Sequence, residues 1–112
     1  MSKEKQTQLA APTILEAVDG VLNTETLKEG AHVVIPAYPN MFVGDKITLR
    51  WAGRTEFDES YVVHQGDVGH NVAILVSKHR ISAPDPKVLV DYKVTTHSGN
   101  VAQSEKITLK VI

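Results

Sequence analysis

Five histidines are the residues of this chain best suited to hold a metal: His32, His64, His70, His79 and His97. Imidazole ligands work in sets at defined spacings, as in His-Glu-x-x-His, where one helical turn brings two rings to a common face. No two of the five stand at such a spacing; only His64 and His70, with Asp67 between them, could meet across a turn. Ser60, His64 and Asp67 supply the residue types of a hydrolytic triad. They lie within one expected strand and its turn, where they could not surround a substrate, and no Gly-x-Ser-x-Gly elbow is present. Calcium needs several carboxylate oxygens converging on one point, whereas Asp58, Glu59 and Asp85 belong to no Asp-x-Asp-x-Asp run. The expectation is therefore a protein that is not an enzyme, with no catalytic residue, no metal ligand, no cofactor and solvent-facing histidines.

The segment from Pro36 to Asp45 concentrates what remains. It holds Tyr38, Pro39, Met41 and Phe42 in a chain with only 5% aromatic residues. Apolar side chains gathered on a loop mark an interaction site when they are exposed. The plainer alternative is a crossover between sheets, stiffened by its prolines, with Met41 and Phe42 capping one end of the core. The two differ at Phe42, which faces water in a binding loop and is buried in a crossover. Burial is expected.

Composition narrows the classes. At 112 residues the chain is one domain with a single core. Its net charge of −1, with basic residues scattered, offers no stripe for a nucleic acid, so none is expected as a partner. No apolar run approaches the roughly 20 residues of a membrane-spanning helix. Without cysteine, neither a disulfide nor a thiolate metal site is possible. The polar start, Met-Ser-Lys-Glu-Lys-Gln-Thr-Gln, carries no signal-peptide core, which leaves a cytoplasmic location open. The last residues form an alternating strand, which reads as a module cut at its boundary from a longer chain.

The elements that would position these residues are strands. Ile47–Trp51, Val90–Val94 and Ile107–Val111 alternate apolar and polar residues. A period of two gives each a core face and a solvent face. Turn signals divide the rest into strands at Thr13–Ala17, Ala31–Ile35, Lys46–Trp51, Glu59–Gln65, Asn71–Ser77, Lys87–Thr96 and Ser104–Ile112. Asp19-Gly20 marks a turn, Asn23–Leu27 a single helical turn capped by Asn23 or Thr24, and His97–Asn100 a hairpin. Residues 1–11 are expected to be a disordered tail and 12–112 the domain. About seven antiparallel strands, with Trp51 buried on the third, suit an all-β, immunoglobulin-like antiparallel β-sandwich. Tyr92, two residues before Val94, stands where that fold places a tyrosine corner.

Val33-Val34-Ile35-Pro36, Tyr38-Pro39, Met41, Val43-Gly44-Asp45, Leu49 and Trp51 stand in one stretch of the chain. Together they resemble a bacterial immunoglobulin-like domain repeated in large surface or adhesin-like proteins of Gram-negative bacteria. Pro12–Ala17 with Asp19-Gly20, Asp67-Val68-Gly69 and Tyr92-Lys93-Val94 also match. The resemblance implies a structural or adhesive, non-catalytic role as one repeat of a larger surface-exposed or secreted protein. Its partners would be neighbouring domains or another protein surface, and the isolated domain is expected to be monomeric. The runner-up is a ligand-binding sandwich for carbohydrate or protein. A third possibility is a small stand-alone partner protein that docks by an exposed edge strand.

Overall fold

The computed structural model describes residues 8–112. Along them run β1 (Thr13–Ile14), β2 (Val21–Leu22), β3 (Gly30–Ile35), β4 (Lys46–Ala52), β5 (Glu56–Val62), β6 (Val72–Ser77), β7 (Asp85–Thr95), β8 (Val101–Gln103) and β9 (Ile107–Val111). They form two sheets, one ordered β1-β3-β6 and the other β2-β9-β7-β4-β5, with β8 added to β7. The all-β sandwich expected from the alternating segments is present.

Alternation explains the core. Ile47, Leu49 and Trp51 of β4 point inwards, and Val88, Val90, Tyr92 and Val94 of β7 lie beside them, all nearly inaccessible to water. From the smaller sheet Ala31, Val33, Ile35, Val72, Ile74 and Val76 meet this layer. Trp51 stacks on Phe57 at 6.0 Å between ring centroids, and the Arg80 guanidinium covers Phe57 from outside at 3.9 Å. Arg80 is held there by Glu59 at 2.5 Å. This cation–π contact links the segment that follows β6 in the smaller sheet to β5 of the larger one.

Several boundaries differ from expectation. β5 begins at Glu56 rather than Glu59, because Gly53 N–H donates to Thr55 C=O and pairing resumes directly opposite Ala52. Gly53 has no room for a side chain, since a Cβ there would lie 2.4 Å from Asp85 Oδ2. The expected strand Ser104–Ile112 is shortened to β9, and a separate short strand, β8, precedes it. At the break, buried Ser104 donates its N–H to Tyr92 C=O and its Oγ accepts from Tyr92 N–H, both at 2.9 Å. β7 starts at Asp85, inside the expected connection, with a register shift between Asp85 and Val88.

β2 was not foreseen, and it corrects the expectation of a purely antiparallel sandwich. Asp19 and Gly20, both at positive φ, turn the chain so that Val21 and Leu22 lie parallel to Lys110 and Val111. The expected disordered tail is also shortened. Leu9 is buried and bridges to Ser104, exchanging backbone hydrogen bonds with Gln103 and Glu105. Residues 1–7 of that expected tail lie outside the described residues. Tyr92 makes no corner within its own neighbourhood; its hydroxyl donates to Ala10 C=O at 2.8 Å and straps residues 9–11 to the sandwich.

Candidate functional site

The loop between β3 and β4 is built around one buried carboxylate. Asp45 is 1% exposed, and its Oδ2 accepts from the Tyr38 hydroxyl at 2.8 Å and from Phe42 N–H at 3.0 Å. Asp45 N–H returns a bond to Phe42 C=O at 3.1 Å, and Met41 N–H donates to Tyr38 C=O at 3.3 Å. Gly44, at φ +94°, lets the chain turn back so that its N–H reaches Val63 C=O and Asp45 C=O accepts from Val63 N–H. Burial, then the bond to Asp45, pushes the Tyr38 phenol well above its ordinary range. The Tyr38-to-Asp45 spacing and the Gly-Asp pair therefore encode a loop that locks itself to the end of β5.

That lock sorts the four residues singled out in the sequence. Met41 is buried and plugs the end of the core, while Tyr38 is half-buried with its hydroxyl committed to Asp45. Pro39 is exposed. Phe42 is 67% exposed, which overturns the expectation that it caps the core. The physical reason is the Asp45 bond. Holding the Phe42 amide inward directs its side chain outward, and Met41, one residue earlier, goes inward instead. Val43 follows Phe42 into solvent at 44% exposure.

A second segment joins them that the sequence did not assign to the site. The turn between β7 and β8 brings Thr96, His97, Ser98 and Asn100 alongside Asn40, Phe42 and Asp45, around a depression of about 300 Å³. Thr96 organises this turn: its N–H donates to Asn100 C=O at 2.8 Å, and its Oγ1 accepts from Asn100 N–H at 3.0 Å. The link follows from topology, because Lys46, at the loop's exit, is paired with Thr95, at the turn's entry. The turn was legible in the residues, but its neighbour was not. The side-by-side placement of β4 and β7 was the missing signal.

The histidines disperse. His32 pairs with Glu16, at 2.5 Å from Nδ1 to Oε2. His64 approaches Asp67 at 3.4 Å, but Asp67 already accepts from the Tyr61 hydroxyl at 2.6 Å and from His64 N–H at 2.8 Å. Those bonds, Tyr61 first, hold the Asp67 carboxyl below the ordinary range. Ser60 points to the face opposite Tyr61, as neighbours on a strand must, and so away from Asp67. Asp85 is buried and accepts from Arg54 N–H at 2.7 Å, a structural role the sequence did not reveal. Among the described residues no three of His, Cys, Asp or Glu gather as a metal site. The chain matches no family model, no curated protein and no solved structure.

Proposed function

We propose that this chain is a non-catalytic immunoglobulin-like module, one repeat of a larger surface-exposed or secreted bacterial protein, with a structural and adhesive role. The strand order supports the immunoglobulin-like reading, since that fold sets its third, sixth and seventh strands side by side. Here β4, β7 and β9 hold those places, with Trp51 buried on β4. The observation that carries the functional reading is the Asp45-locked loop with Phe42 held 67% exposed at its tip. A rigid loop that spends a phenylalanine on solvent offers a preorganised contact for a neighbouring domain or another protein surface.

An antibody against the domain should label intact cells or the culture medium of the parent organism. Labelling that requires lysis overturns the surface assignment. At the loop, Phe42→Ala should leave stability within about 0.5 kcal/mol of wild type, whereas Met41→Ala should cost about 2–5 kcal/mol. Denaturant titration of both variants measures this, and a large cost at Phe42 would return it to the core.

One observation favours the ligand-binding alternative: Phe42 shares its depression with Asn40, His97, Ser98 and Asn100, an aromatic face ringed by hydrogen-bonding groups. Such a surface suits a sugar ring. The module reading expects a blank glycan array; a signal that vanishes in a stable Phe42→Ala variant would establish the alternative.

A further inference from the structure

Ladder geometry determines which backbone groups of β6 lack a partner within the smaller sheet. His32 N–H donates to Glu16 Oε1 at 2.8 Å, and His32 C=O accepts from Leu15 N–H at 3.0 Å, so both peptide groups of His32 point towards β1. Successive residues of an antiparallel strand alternate this direction. Ala31, Val33 and Ile35 therefore aim at β6, onto Val76, Ile74 and Val72. Ala73 and Leu75 are left to turn their N–H and C=O groups outward, to an edge that no described strand covers.

The other edges are defended and this one is not. β1 and β2 are two residues long, and β5 carries Glu56, Asp58 and Glu59. β6 reads Val-Ala-Ile-Leu-Val-Ser, with no charge, no proline and an unbroken register against β3. Natural proteins blunt exposed edges with such devices, because an open edge is a template for another strand.

We propose that β6 pairs with β6 of a second copy, antiparallel about a twofold axis, joining the two small sheets into one. The register is self-consistent when Ile74 lies on the axis. Ala73 of each copy then exchanges backbone hydrogen bonds with Leu75 of the other, and the residues between them are the ones already turned towards β3. An uncharged strand brings no like charges face to face. The turn Lys78–Arg80 follows β6 and the turn bearing His64, Asp67 and His70 precedes it; Arg80 is already paired with Glu59 and Asp67 with Tyr61, so the strand edge and not the turns carries the pairing. A strand-to-strand contact is small against the roughly 1,200 Å² that a stable interface buries, so the pair is a weak one. This proposal stands independently of whether the chain is a repeat in an array.

Sedimentation equilibrium from roughly 10 μM to about 1 mM covers the affinity range of such contacts. The average mass of the wild-type domain should climb from that of one copy towards twice that value. Leu75→Lys sets two charges beside the axis, and Ala73→Pro removes an N–H that serves no ladder bond. Both should remain single copies throughout, with melting temperatures close to wild type; if Ala73→Pro fails to fold, Leu75→Lys decides. Phe42→Ala should associate as wild type does. A wild-type chain that stays a single copy at the highest concentration overturns the proposal. So does association that survives Leu75→Lys, or association lost in Phe42→Ala, which would move the contact to the loop tip.

Discussion

Glu16 stands in for a third residue of β1. One carboxylate oxygen accepts from His32 N–H at 2.8 Å, the other from His32 Nδ1 at 2.5 Å, so a side chain completes the ladder where the strand stops. Partial burial pushes the Glu16 carboxyl up, but the His32 bonds outweigh it and hold it below the usual carboxylate range. A carboxylate depressed by folding stabilises at neutral pH and loses that contribution as pH falls through its folded value. Wild type should accordingly lose stability between about pH 5 and about pH 3 more steeply than Glu16→Gln. Chemical denaturation across that interval measures it, and parallel curves would show that the pair contributes nothing. Neither partner betrays the other in the sequence: they are sixteen residues apart, and only the β1–β3 register brings them together.

Among the elements, legibility followed length and one-sided burial. β4, β7 and β9 have one face in the core and alternate cleanly, so their residues announced them. β5 is legible only in part, its start lying three residues before the expected Glu59, because its inner-face residues Phe57, Glu59 and Tyr61 overhang the core and are only half-buried. β1, β2 and β8 are too short to show a period at all. The loop was found as a cluster of apolar residues, yet the side facing water depended on the Asp45 lock, a tertiary bond. The strap at residues 9–11 was missed for a similar reason, since Leu9-Ala10-Ala11 follow a polar stretch and are too few to show an alternation of their own. It is held by Tyr92, whose phenol burial pushes up to about 12. Tyr92→Phe should cost about 1 kcal/mol, the typical worth of one hydrogen bond. It should also speed amide exchange at Leu9 and Glu105, whose N–H groups bind Gln103 and Leu9 carbonyls across the strap. Unchanged protection at those amides would show that the phenol does not secure the segment.

At the scale of the molecule, Trp51 is 1% exposed and belongs to the one core cluster that the described residues form. Domains of this size hold only about 5–15 kcal/mol of net stability. Trp51→Ala, at about 3–5 kcal/mol, should remove a large part of that while leaving one cooperative transition. Fluorescence should report a blue-shifted indole in the native state; emission at the red limit would contradict its burial. Before any strand count, the single tryptophan on an alternating segment had pointed to this centre.

The parallel pairing of β2 with β9 has a mechanical meaning. Lys110 N–H binds Gly20 C=O, Ile112 N–H binds Leu22 C=O and Thr24 N–H binds Ile112 C=O, all at 2.9 Å. Because the two strands run the same way, tension drawn through residue 21 of one and residue 112 of the other slides them lengthwise. The cross-links are then loaded together in shear, rather than peeled open one after another like a zipper. Drawing β2 and β9 apart along their length therefore requires these three bonds to yield together.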